Sequence, residues 1–135
     1  MKMILIFAVL ILNGCTYTTD MLDNNYVALV AEAPPQGVEG IWAGTSGPYV
    51  MSFRFEADGY GVECYEWGEN QTFMKIKYVN GNFMQQDGIK LPFHSISGDV
   101  MQLNVPYFNG SNLMLYRDDD LKNASPYCAE KLSKM

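Results

Sequence analysis

From Val38 onward, apolar and polar residues alternate in short runs, and turn residues interrupt the runs at regular intervals. In Tyr49-Val50-Met51-Ser52-Phe53-Arg54-Phe55-Glu56, Met51, Phe53 and Phe55 share one face and Ser52, Arg54 and Glu56 the other. Met74, Ile76 and Tyr78 oppose Lys75 and Lys77; Met101, Leu103 and Val105 oppose Gln102 and Asn104; Leu113 and Leu115 repeat the period. A period of two is that of a β-strand with one face in a core and one in water. The breaks fall at Ser46-Gly47-Pro48, Asp58-Gly59, Gly68-Glu69-Asn70, Asn80-Gly81, Asp87-Gly88, Ser97-Gly98-Asp99 and Asn109-Gly110. Asn-Gly and Asp-Gly tolerate positive φ at both central positions and favour two-residue hairpins. The pattern predicts eight strands, at 39–45, 49–57, 60–67, 71–79, 82–86, 89–96, 100–107 and 111–117.

Short antiparallel strands in tight succession form a meander, and eight can close on themselves and lose their exposed edges. The expected fold is all-β: an antiparallel meander closing into a small barrel of about eight strands, with a short C-terminal helix. A two-sheet sandwich competes, but Greek-key crossings need longer connections. Pro92 cannot donate to a ladder, so the sixth strand is expected to be bent or at an edge. After Arg117, Asp118-Asp119-Asp120 reads as a turn or solvated face. Ser125-Pro126 then reads as an N-cap followed by proline at the first helical position, and Tyr127-Cys128-Ala129-Glu130-Lys131 continues the helix.

The N-terminus follows another pattern. Residues 3–12 are an unbroken apolar run preceded by Lys2 and ending in Leu12-Asn13-Gly14-Cys15. The run is about half of what a bilayer span requires and suits a signal peptide. Leu12-Asn13-Gly14-Cys15 resembles a bacterial lipobox. That resemblance implies cleavage after residue 14 and lipid on Cys15, and several acyl chains anchor a soluble domain stably. Residues 1–14 are then the signal peptide, 15–37 the lipidated N-terminus and tether, and 38–135 the barrel domain with its helix. Within the tether, Tyr26-Val27-Ala28-Leu29-Val30 fits a docked strand or helix as well as a spacer. Thr16 stands where an Asp would signal inner-membrane retention in that family, so the resemblance implies the periplasmic side of the outer membrane.

Lipid on Cys15 leaves an even pair of cysteines. In an oxidising compartment Cys64 and Cys128 are expected to form a disulfide that staples the helix to the third strand. The chain has nine basic and fifteen acidic residues, a net charge of −6; loss of Lys2 with the signal peptide makes it −7. That balance disfavours nucleic acid and electrostatic adhesion to anionic lipid.

Gly40-Ile41-Trp42 opens the first strand and Arg117 ends the last. This resembles the lipocalin and avidin-like barrels, in which a Gly-x-Trp motif starts strand one and a last-strand arginine stacks on the tryptophan to close the barrel. With the lipobox, the whole resembles small bacterial lipoproteins of one barrel domain.

Candidate chemistry is sparse. His94 is the single histidine, and its neighbour Ser95 points to the opposite strand face. Neither a nucleophile-elbow motif, a zinc set nor a calcium loop is present. No catalytic residue, cofactor or metal is expected. If Val62 and Cys64 face inward, then Glu63, Tyr65 and Trp67 face outward, and Tyr65 and Trp67 with Tyr107 and Phe108 form a candidate contact patch. The large inward residues predict a mostly filled interior, with any ligand site confined to one mouth. The reading is a non-enzymatic, membrane-anchored binding or accessory module of the envelope, with an envelope protein as partner. Alternatives are a small hydrophobic-ligand binder of lipocalin type and an inhibitor of a hydrolase such as lysozyme.

Overall fold

The turn residues set the hairpins. In the computed structural model, which describes residues 23–106 and 111–135, Asn80 and Gly81 both take positive φ, 49° and 79°. That is what a two-residue turn between right-twisted strands requires. The strands are β1 (Gly40–Ser46), β2 (Tyr49–Phe55), β3 (Tyr60–Trp67), β4 (Asn70–Val79), β5 (Asn82–Gln85), β6 (Lys90–Ser97), β7 (Val100–Asn104) and β8 (Asn112–Arg117), followed by the helix α1 (Pro126–Ser133). Each strand pairs antiparallel with the next and β8 returns to β1, closing an eight-stranded barrel. Pro92 therefore does not mark a sheet edge. It lies opposite Asn82, and the disturbance in β6 is a bulge between Phe93 and Ser95 that leaves His94 exposed.

Inward residues of seven strands, all but β3, meet in one core. Trp42, Phe53, Phe55, Ile76, Phe83, Met101, Leu103 and Leu115 are buried in it. Phe55 and Phe83 pack with ring centroids 4.4 Å apart, and Tyr78 meets Phe83 at 5.1 Å. Such aromatic pairs add to the area they remove from water.

One strand is turned over relative to the sequence reading. Cross-strand partners share a face, and Glu63 lies opposite Phe53 on β2 and Met74 on β4. Glu63 and Tyr65 therefore face the barrel interior, and Val62 and Cys64 face out. The outward face is nevertheless dry, because α1 covers it. Cys64 is bonded to Cys128 in the first turn of α1, and Ser52, Val62, Cys128 and Leu132 are all buried there. Ser125 caps the helix by accepting from Cys128 N at 3.2 Å, and Arg54 Nη1 donates to the carbonyl of Met135 at 3.2 Å. A strand buried on both faces loses its polar-apolar contrast. Val62 and Cys64 thus mimic core positions, and Glu63 mimics a surface one.

The segment before the barrel is a docked strap. It carries a short 3-10 turn, Tyr26–Ala28. Lys77, expected on the wet face, does point outward, but the strap buries it. Its Nζ donates to the carbonyls of Tyr26 at 2.8 Å and Leu29 at 2.9 Å, above the Tyr26 ring. Glu32 N donates to Tyr78 O at 2.8 Å, and Asn24 Nδ2 donates to Gln86 O at 3.0 Å. Residues 24–38 belong to the folded body rather than to a free tether. The proposed signal peptide, Cys15 and the first tether residues lie outside the described residues.

Candidate functional site

The two ends of the barrel differ. At one end Arg117 lies over the Trp42 ring at 4.3 Å. Its Nη2 donates to Gly37 O at 2.8 Å, its Nη1 to Glu39 O at 3.1 Å, and its Nε to Asp99 Oδ1 at 3.0 Å. Trp42 Nε1 donates to Val38 O at 2.8 Å. The planar guanidinium therefore covers the indole and ties three chain segments across the opening. Gly40 takes φ 128°, and a Cβ there would lie 2.6 Å from Arg117 Nη1. Only glycine fits, which is the physical content of the Gly-x-Trp motif here.

At the opposite end the described residues leave an opening. A cavity of about 530 Å³ enters the barrel between the β1–β2 and β5–β6 turns and the start of β8. Its deep part is formed by Glu63, Gln85, Leu91 and Leu113, all buried. Met51, Tyr65, Ile89 and Val105 form the wall, and Ser46, Pro48, Tyr49 and Asp87 the rim. The interior is thus not filled to the top. The volume exceeds the roughly 300 Å³ at which ligand pockets begin. The core below is filled by Trp42, Phe53, Phe55, Phe83 and Leu103, so the free volume is confined to this one mouth, and it is larger than a nearly filled barrel would leave.

The feature that sequence reasoning misplaced is Glu63, which lies at the bottom of this cavity with 1% of its surface exposed. Its Oε2 accepts a hydrogen bond from Gln85 Nε2. Burial first, and the Asp87 charge second, push its pKa from 4.5 to about 8, because a carboxylate in a low-dielectric site loses its hydration. The group is a neutral acid through most of the physiological range. A two-residue turn at Asp58-Gly59 would set Cys64 opposite Phe53; instead Glu56 pairs with Tyr60 across the three residues Ala57-Asp58-Gly59, and that one-residue difference sets Glu63 opposite Phe53.

The candidate contact residues divide. Tyr65 is not on the outer surface but in the cavity wall, where it meets Tyr49 edge-on at 5.2 Å. Trp67, half exposed at the end of β3, stands 5.9 Å from Tyr49 on the rim. Tyr107 and Phe108 lie outside the described residues. Asp118, from the triple-aspartate run, is buried and accepts from Asn123 N and Nδ2, so it shapes a turn. Among the described residues no three metal-ligating side chains come together.

Residues 23–132 match the family model described as bacterial lipocalin LPS transport optimiser YedD. A lipoprotein YedD from Klebsiella pneumoniae subsp. pneumoniae MGH 78578 has a similar solved structure, with a TM-score of 0.61 at 17% identity, over 81% of this chain and 92% of that one. No curated protein sequence matches. That structural likeness bears on the fold, and the family match covers the strap, the barrel and the helix. The chain belongs to the YedD family of bacterial lipocalin-type lipoproteins.

Proposed function

We propose that this protein is a lipid-anchored, non-enzymatic accessory module that supports lipopolysaccharide transport from the periplasmic side of the outer membrane, with the barrel mouth as its working surface. A bacterial lipoprotein of this family belongs to the cell envelope, and the family's description supplies the process. The observation that carries the reading is the open apolar mouth of about 530 Å³. A mouth of this kind retains and presents an apolar group.

The strap gives the mouth a direction. It leaves the closed end at Val38 and climbs the outer wall, and its Asn24 bonds to Gln86 on the rim side of the β5–β6 turn. Nine residues separate Asn24 from Cys15, a reach of at most about 32 Å. That reach lets an anchor on Cys15 keep the mouth near the bilayer.

Complementation of a deletion strain tests the reading, with pulse-labelled lipopolysaccharide followed to the cell surface. Wild type restores delivery. Cys15→Ala, which cannot be lipidated, and Ile89→Trp, which fills the mouth from its wall, both fail to do so while folded. Unchanged delivery in the deletion strain, or full rescue by folded Ile89→Trp, refutes the proposal.

A further inference from the structure

The lining of the mouth carries charge of one sign. Among the described residues that line it, Glu63 and Asp87 are the acids and none is a lysine, arginine or histidine. The neighbouring cations point elsewhere: Lys77 outward to the strap, Arg54 outward to the C-terminus, and Arg117 across the closed end. The fold therefore buries a carboxyl group at the bottom of an apolar cavity and supplies it with one amide partner, Gln85, and no counter-ion. Burial of an ionisable group without a partner of opposite charge is costly, and a glutamine at the same place would satisfy Gln85 equally well. Above Glu63 the Tyr49 and Tyr65 rings meet edge-on, with Trp67 beside them. Aromatic rings and a carboxylate lining one cavity form the ordinary surroundings of a bound ammonium group.

Resting on the reading of the mouth as the working surface, we propose that it binds a small ammonium ligand with an apolar body. The cationic head sits against the Glu63 carboxylate beneath Tyr49 and Tyr65, and the body lies along Met51, Leu91 and Leu113. Ionised Glu63 becomes favourable only with the cation in place, so binding at neutral pH releases the Glu63 proton to solvent. The groups facing Glu63 are Phe53 and Met51 from β2, Met74 and Ile76 from β4, Gln85 from β5, and Leu91 and Leu113 from β6 and β8, all uncharged. Asp87 from the β5–β6 turn is the one other carboxyl among the described residues that line the mouth.

The test uses the mature lipidated chain in phosphatidylglycerol nanodiscs, with Trp67 fluorescence as the signal. Octyltrimethylammonium, octanol and octanoate share one tail and differ in head. The expected result is octyltrimethylammonium binding to wild type about tenfold or more tighter than to Glu63→Gln, with octanol bound alike by both. The quaternary head does not titrate, so its affinity should rise by about tenfold per pH unit below about pH 8 and then level, with no slope in Glu63→Gln. Equal or tighter binding of octanoate, equal affinity in Glu63→Gln, or a flat pH profile in wild type overturns the proposal. Where Glu63→Gln does not fold, the wild-type pH profile alone decides. Exchanging phosphatidylglycerol for phosphatidylethanolamine separates two sources of the same head. Loss of free-probe affinity in those discs assigns the site to a lipid ammonium headgroup, and unchanged affinity assigns it to a soluble amine. These measurements are independent of lipopolysaccharide delivery, so either reading can fail alone.

Discussion

Raising the pH should weaken this fold in a range where ordinary carboxylates have finished titrating, and Glu63→Gln should remove the effect. Glu63 lies at the bottom of the mouth, and burial, with a smaller push from Asp87, raises its pKa from 4.5 to about 8. Between those two values the folded chain holds a proton that the unfolded chain has lost. Unfolding free energy therefore falls as pH rises, because the unfolded state binds fewer protons. The contribution is fully present below about pH 4.5, declines toward about pH 8 and is absent above it. The shift is 8 − 4.5 = 3.5 units, and each unit is worth about 1.4 kcal/mol, so the whole effect is of order 3–5 kcal/mol. Glutamine keeps an acceptor for Gln85 Nε2 and carries no proton to lose. Urea unfolding of both proteins, disulfide intact, at steps from about pH 5 to pH 9 measures the two curves. They should diverge with pH, leaving Glu63→Gln the more stable by about 3 kcal/mol or more at the alkaline end. Other displaced groups lie outside this range. Asp120 and Glu130 are held below the usual carboxylate value by hydrogen bonds from Lys122 and Lys134, and burial moves Tyr26 above 10. A wild-type curve that is flat from pH 5 to 8, or parallel to that of the variant, would refute the reasoning. It would mean that water in the mouth hydrates the carboxylate as well as bulk solvent does.

Two further outcomes follow from the covalent staple and the closed end. Replacing Cys64 and Cys128 together by serine opens a loop of 64 residues' separation and should cost about 4 kcal/mol by chain-entropy arguments; equilibrium unfolding of the pair variant measures it, and a loss below about 1 kcal/mol would show that α1 holds to β3 by packing alone. Arg117→Lys keeps the charge but cannot span Gly37, Glu39 and Asp99 while lying flat on Trp42. It should lower stability by about 1–3 kcal/mol and speed amide exchange around residues 37–42, and unchanged exchange would show that the arginine does not hold this end closed.

The sequence by itself determined where the chain turns and what each segment becomes. Hairpin chemistry is local: Asn80-Gly81 adopts its turn whatever surrounds it, and Ser125-Pro126 starts a helix from its own cap. Strand limits therefore agree with the pattern to within a few residues, the longest difference falling at the end of β7. The closure by Trp42 and Arg117 joins the first and last strands, so it was legible only through the likeness to lipocalin and avidin-like barrels, and the structure supplies its physical reason at Gly40. Alternation along β3 told which residues share a face, but not which face lies inside. That choice was made where the β2–β3 turn closed: Glu56 pairs with Tyr60 across three residues instead of two, which sends Glu63 into the barrel, and α1, bonded through Cys128 to Cys64, keeps the opposite face dry. The strap posed a similar ambiguity: Lys77 reads as a surface lysine until the carbonyls of Tyr26 and Leu29 are brought to it. The mouth could not be read at all, because a cavity is a property of volume left over by many strands at once, and no single segment encodes it. The acid at its bottom is thus visible in the sequence only as one more glutamate, and becomes a candidate site when tertiary structure removes its water.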